Sequence, residues 1–400
     1  MDKPKVLHLI RKWLHPMDVF IMHQVLFAER YEPVVLCHRR LKYSSPADHC
    51  VNTIVDYLTP FGRTVDRVAY GSARYLPGLT VRAAQEFIRK AEPRVIHVHY
   101  LVDDAFYAPL LRDISVPVVV SGYGYDVSRF PAQAFGLGKL YLKRGLDPPN
   151  VFLALSEHMK QDFVSLGVPA DDIKVHYHGI DVGRFAYPAR EYASDNTVRI
   201  LTCARLVPKK GHEVLLRALR AMLDRNGLSR KIELSIVGGG PLRGELEKLS
   251  AQLDLRDIVR FKGHIPYVSE GYVAQYKQAD MFVLPCRRVG GTKEGIPGTL
   301  IEAMASGLPI ISTVHAGIPE VVRHNVDGVL VAESSVEELA DAMSALIAHA
   351  DLRRNLGIAA AHRAWEFDVK KQTRELEKIY SALTGEEEKP KRKGDAHTPT

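Results

Sequence analysis

The chain has 400 residues, with 54 Lys and Arg against 47 Asp and Glu, 46% hydrophobic and 25% charged. These globular proportions exclude a disordered or fibrous protein for the bulk of the chain, and the length suits about two domains. The net charge of +7 is uneven, since residues 1–190 carry 24 basic and 19 acidic side chains; that surplus is too weak for a nucleic-acid binder but suits an anionic small molecule or an acidic membrane surface.

Cys37, Cys50, Cys203 and Cys286 are scattered, with no C-x-x-C pair. The spacing offers neither a zinc site nor a disulfide framework and fits a reducing compartment. No uncharged apolar run approaches the roughly 18 residues of a membrane span. The opening stretch Val6–Ile10 is too short for a signal-peptide core. The expectation is a soluble cytoplasmic protein, with contact at the cytoplasmic face of the inner membrane left open.

In chain order, short Val/Ile-rich runs predict strands at 5–10, 32–37, 95–98, 116–121 and 151–154. A second set follows at 198–203, 231–237, 259–262, 281–284, 309–313 and 328–331. Amphipathic stretches between them predict helices, among them 212–226, 242–252, 299–305 and 336–348. Continuous apolar runs separated by helices indicate parallel strands covered on both faces. The polar segment 183–196 breaks the alternation. The expected fold is α/β: two doubly wound, Rossmann-like parallel-sheet domains facing across a cleft, at residues 1–185 and 197–368. A helix at 369–384 is expected to cross back to the first domain, and 385–400, almost without apolar residues, to form a disordered tail. In such sheets ligands bind beyond the carboxyl ends of the strands, so the loops there are where chemistry belongs.

Three such loops stand out. Glu294 and Glu302 are separated by Gly295, Ile296, Pro297, Gly298, Thr299, Leu300 and Ile301. With Thr299 as an N-cap or first-turn residue, the loop would present free N–H groups at a helix N-terminus, a phosphate-attracting arrangement. Glu302, one turn in, would reach a ribose, and Glu294 would accept from sugar hydroxyls. The plainer reading is a capping loop with two solvated acids. Arg205 and Lys210 follow the strand at 198–203 and would clamp a diphosphate; a basic surface turn is the alternative. Gly238, Gly239, Gly240, Pro241 and Leu242 follow the strand at 231–237. Their glycines would let backbone approach a ligand, but G-x-G-x-x-G fails at Arg243, and there is no P-loop and no D-x-D. The pairs His97/His99 and His176/His178 alternate as in strands; with no third ligand in obvious register, no metal is assigned to them.

These three pieces, in this order, resemble the retaining glycosyltransferases of family 4, which have the GT-B fold. The E-x7-E element matches Glu294 and Glu302, followed by Ser312-Thr313 and Gly317-Ile318-Pro319-Glu320. Ser156-Glu157, Gly167-Val168-Pro169 and Gly179-Ile180-Asp181 resemble the end of the family's first domain. The resemblance implies a hexosyltransferase using a nucleotide diphosphate sugar (UDP- or GDP-sugar) with retention, without a metal or cofactor. It assigns catalytic roles to Arg205, Lys210, Glu294, His99 and Asp126. It assigns donor binding to Glu302, Gly238, Gly240, Pro241, Leu242 and 295–300. The wording around Glu294 is similar to that of enzymes building bacterial exopolysaccharides. The implied acceptor is a saccharide or a polyprenyl-diphosphate-linked saccharide. Two departures matter: the loop after the first strand (11–16) lacks the family's glycines, and Tyr123 stands where many members have histidine. A nucleotide-sugar epimerase of the same fold and a non-catalytic sugar-nucleotide-binding protein are the alternative readings.

Overall fold

A computed structural model describes residues 3–13, 19–41, 46–73, 75–146, 151–186, 196–225 and 230–386. The strands of the first half are β1 (Lys5–Trp13), β2 (Glu32–Arg40), β3 (Val51–Thr53), β4 (Val95–His99), β5 (Val118–Ser121), β6 (Val151–Ala154) and β7 (Ile173–Val175). They form one parallel sheet in the order β3-β2-β1-β4-β5-β6-β7. The second half supplies β8 (Thr197–Cys203), β9 (Lys231–Val237), β10 (Val259–Gly263), β11 (Met281–Val283), β12 (Ile310–Thr313) and β13 (Gly328–Val331), ordered β10-β9-β8-β11-β12-β13, again parallel. Both sheets run outward one way from their first strand and then the other. Strand order therefore reverses between β1 and β4 and between β8 and β11, where a crevice opens at the strand ends.

The predicted strands are all present, three with the expected bounds (151–154, 231–237 and 328–331) and the others with shifted ends. β3 and β7 were not anticipated; each has three residues at a sheet edge. His176 and His178 lie past the end of β7 rather than on a strand. His176 Nε2 bonds the Gln372 carbonyl at 2.9 Å.

The boundary between halves also differs from expectation. Ile180, Val182 and Phe185 belong to the second domain's core, packed with Tyr276, Ile301 and Met304. The chain thus enters the second domain before residue 185. The segment 187–195, placed in the polar break by the sequence, lies outside the described residues.

The helix Val369–Thr384 lies against the first domain. Leu376 and Tyr380 are buried with Val6, Val95, Val119 and Leu153. Glu377 Oε1 accepts from the backbone N–H groups of Glu29, Arg30 and Tyr31 at 2.8–3.1 Å. Gly385 ends the helix at φ 68°, where a side chain would be strained. Glu386, assigned to the disordered tail by the sequence, instead accepts from the Tyr31 hydroxyl at 3.1 Å; residues 387–400 lie outside the described residues.

Candidate active site

The second domain's wall is built from the loops after β8, β9 and β11. The turn at Gly238–Leu242 locks onto the loop carrying Arg205. Leu206 N–H donates to the Gly239 carbonyl at 2.9 Å, and Leu242 N–H to the Leu206 carbonyl at 3.2 Å. A Cβ on Gly238 would stand 1.9 Å from the Ala204 carbonyl oxygen, and one on Gly240 2.4 Å from that of Leu206. These glycines admit the protein's own backbone; the sequence had assigned that closeness to a ligand. Arg205 and Pro241 are exposed, and Leu242 is partly buried. Gly211, at φ 70°, presses against the Pro285 carbonyl and fixes Lys210 beside the end of β11.

There Lys210 meets Glu294. Its Nζ lies 2.8 Å from Glu294 Oε2, with Lys209 Nζ at 3.1 Å from the same oxygen. Burial alone would raise the Glu294 pKa; Lys210 and then Lys209 outweigh it and hold the carboxyl at about 2. Burial works against the Lys210 charge, and Glu294 reverses this, so the ammonium pKa is raised. A relay unseen in the sequence fixes the Glu294 backbone: its N–H donates to His315 Nε2 at 2.9 Å, and His315 Nδ1 lies 2.7 Å from Glu333 Oε1. Because Nε2 accepts, Nδ1 carries the proton and donates to Glu333.

The helix Gly298–Ala305 starts one residue earlier than expected. Pro297, not Thr299, is its N-cap, and Thr299 sits in the first turn. Proline has no side-chain acceptor, so the cap leaves first-turn N–H groups open. Thr299 Oγ1 is buried without a partner among the described residues. Glu302 is not the free acid the sequence suggested. Tyr272 and Tyr276, one turn apart on the helix Glu270–Gln278, donate to its Oε2 at 2.8 and 2.5 Å. Burial raises the Glu302 pKa against these bonds.

The first domain's wall lies at the β1/β4 reversal. Pairing of the two strands sets His8 opposite His97. His8 Nδ1 lies 2.9 Å from His99 Nε2, and His99 Nδ1 lies 2.8 Å from the Tyr123 hydroxyl. His97 bonds Tyr380 Oη at 2.6 Å and Ser121 Oγ at 2.7 Å. His8 is thus the third imidazole that the sequence did not bring to His97 and His99. Ligating nitrogens of the three lie within 4.8 Å of one another, yet every ring nitrogen except His8 Nε2 already has a hydrogen-bond partner. Burial lowers all three pKa values, that of His8 to about 3, so the chain of rings is neutral.

His99 therefore sits behind Tyr123, which faces Phe20 and Tyr100 with ring centroids at 4.6 and 4.7 Å. Asp126 is also withdrawn. Both its oxygens accept backbone N–H groups, of Tyr123 and Leu101, at 2.9 Å, and burial raises its pKa. It is a clamp for the turn bearing Tyr123, not a carboxylate open to the cleft.

The walls touch. A Cβ on Gly124 would come 3.9 Å from Gly295 N, and one on Gly298 3.5 Å from His178 Nε2. Glu320 of the second domain accepts from the N–H groups of Glu157 and His158 (2.8 and 3.1 Å), capping a first-domain helix, and from the Tyr177 hydroxyl at 3.0 Å. Lys293 reaches Asp162 at 2.6 Å. The Gly295–Thr299 loop, Lys210 and Glu294 are thus brought to the Tyr123 side of the cleft.

Known proteins share this arrangement. The family profile "Glycosyltransferase Family 4" matches residues 22–184, and "Glycosyl transferases group 1" matches 186–363. A GDP-mannose-dependent alpha-(1-6)-phosphatidylinositol monomannoside mannosyltransferase of Mycobacterium tuberculosis is 30% identical over 74% of this chain and 78% of its own. The amylovoran biosynthesis glycosyltransferase AmsK of Erwinia amylovora is 37% identical over 48% of this chain; the match spans only 46% of AmsK, about half its length. The crystal structure of HepE from Anabaena in complex with UDP superposes with a TM-score of 0.75 at 17% identity, covering 94% of this chain and 100% of that one. The chain belongs to glycosyltransferase family 4, a glycosyltransferase of the GT-B fold. No helix among the described residues is long and apolar enough to cross a membrane.

Proposed function

We propose that the protein is a retaining hexosyltransferase, moving a hexose from a UDP- or GDP-sugar to a saccharide or polyprenyl-diphosphate-linked saccharide in exopolysaccharide or cell-surface glycan synthesis. The observation that carries this reading is the half-buried Lys210–Glu294 pair set beside a helix N-terminus without a side-chain cap. Relatives named for amylovoran and colanic acid biosynthesis support the pathway, and a relative named as GDP-mannose-dependent supports the donor class.

In this reading the second domain holds the donor. Glu302, aimed by Tyr272 and Tyr276, holds the ribose. The diphosphate takes the place of Glu294 as the partner of Lys210, joined by Arg205 and the N–H groups of 298–299. Glu294 is then released toward the sugar. Charge grows on the departing diphosphate as the sugar becomes oxocarbenium-like, and these cations stabilise it. They supply the compensation that a metal gives elsewhere, and EDTA is expected to leave turnover unchanged. The first domain presents the acceptor; Tyr123, oriented by His99, stands where it would approach. Where the acceptor is lipid-linked, the basic residues of the first half meet anionic lipid.

Calorimetric titration of a panel of nucleotide sugars, repeated with Glu302→Ala, tests the donor site. One donor should bind and the variant should lose it. A folded protein that binds none, with or without acceptor, would overturn the reading.

A further inference from the structure

Away from the cleft contact, an open cavity of about 700 Å³ lies at the outer edge of the first sheet, beyond the ends of β2 and β3. Arg39 and Arg40 reach it from the end of β2, and Arg63 and Arg67 from the helix Pro60–Ala73. A buried pair joins these two elements: His38 Nε2 is 3.0 Å from both Asp66 oxygens, and Thr80 Oγ1 donates to Asp66 at 3.0 Å.

Two of the guanidiniums are held by neutral partners. Arg39 stacks on the Tyr70 ring at 4.2 Å. Arg63 donates to the backbone carbonyls of Leu58 at 3.2 Å and Asp56 at 3.4 Å. Arg67 has no hydrogen bond or ion pair among the described residues. Arg40 is ion-paired with Asp48 at 2.5 Å. Against Arg39, Arg63 and Arg67 stand two carboxylates of the lining: Asp56, and Asp66, whose pKa burial would raise but is lowered by the His38 hydrogen bond and, more weakly, by Arg39. The lining's four arginines outnumber its two carboxylates, and arginines gathered around a concavity in excess of acids suit the bidentate recognition of phosphate oxygens.

We propose that this cavity binds a phosphate or diphosphate group on a second ligand, distinct from the nucleotide of the donor. That ligand is an acceptor only if the transferase reading holds; the anion site stands without it. The group could sit on a soluble phosphorylated molecule or on a lipid headgroup, and the test separates them.

Inorganic pyrophosphate is titrated into K210Q protein, whose donor clamp is weakened, with and without R39Q and R67Q. Binding should survive K210Q and weaken at least tenfold when R39Q and R67Q are added. UDP and GDP affinity, measured without K210Q, should be unmoved by R39Q and R67Q. R67Q alone, at an exposed side chain, should weaken pyrophosphate severalfold with an unchanged melting temperature. No pyrophosphate binding by K210Q protein, or binding indifferent to R39Q and R67Q, would overturn the proposal. Failure of UDP and GDP to bind would count against the donor site alone. Co-sedimentation with phosphatidylcholine vesicles, with and without phosphatidic acid, identifies the source. Sedimentation that needs phosphatidic acid and is lost with R39Q and R67Q assigns a headgroup. Its absence beside intact pyrophosphate binding assigns a soluble phosphorylated ligand.

Discussion

On the second domain's side of the cleft, charges are kept and paired, Glu294 with Lys210 and Lys209, and Glu333 is held by a hydrogen bond from His315. On the first domain's side, titratable groups are kept neutral: His8, His97 and His99 pass hydrogen bonds among themselves, Tyr123, Ser121 and Tyr380. If the proposed donor reading holds, the second wall must keep cations ready for a diphosphate, and Glu294 would hold them in place until the ligand replaces it. If the first wall only positions an acceptor hydroxyl, as proposed, it does better without net charge, which would bind anions indiscriminately. The same fold thus carries two electrostatic designs, and each fails in its own way.

The sharpest break is Lys210→Ala. It should lower kcat by about 10²–10³-fold, the usual consequence of losing one preorganised donor at a leaving group. Steady-state turnover checks it, with Tyr123→Phe as the first-wall counterpart and a smaller loss expected.

Acid should separate the walls next. A buried imidazole with a lowered pKa contributes stability that is full above its unfolded pKa of 6.5 and falls as pH drops toward the folded value. Each such group costs about 1.4 kcal/mol per pH unit over that window. His8, His23, His97, His99 and His176 all act in the first domain; the second holds His212, lowered to about 3 by burial. Glu294 is held at about 2 against its ordinary 4.5, so its contribution, roughly 3 kcal/mol, is lost only below about pH 4.5. Hydrogen exchange followed from pH 7 to 5 should therefore quicken first in the sheet of β1 and β4. Equal protection of both sheets through that range would contradict the comparison. Glu294→Gln should flatten only the limb below pH 4.5.

Smaller effects sharpen the picture. Tyr380→Phe strands His97 Nδ1 and should cost about 1–3 kcal/mol in urea denaturation. Lys293→Ala removes a partly exposed pair across the cleft and should cost under about 1 kcal/mol, with a change in KM larger than in stability.

Long Val/Ile runs made most strands legible in the sequence, and the alternation with helices made the double winding legible. β3 and β7 escaped because three residues at a sheet edge carry no pattern. The stretches holding Arg205 and Lys210, and Glu294 and Glu302, were legible because these residues cluster at short spacing with glycine and proline among them. What those carboxylates bond was not. Tyr272 and Tyr276 sit a helical turn apart in plain view, but only the packing of two helices aims them at Glu302. His8 joins His97 and His99 through strand pairing across 89 residues of separation, which no local spacing reveals. Asp126 was assigned a catalytic role through the family resemblance; here the backbone N–H groups of Tyr123 and Leu101 occupy both its oxygens.

The helix Val369–Thr384 carries a consequence for how the protein is made. The first domain leaves the ribosome early, but the apolar face formed by Val6, Val95, Val119 and Leu153 waits for Leu376 and Tyr380, nearly the last described residues of the chain. Through most of translation, at about 5–20 residues per second, the earlier-made half stays unsealed while the later-made half completes its own core. A chain truncated before Val369 would expose that face permanently.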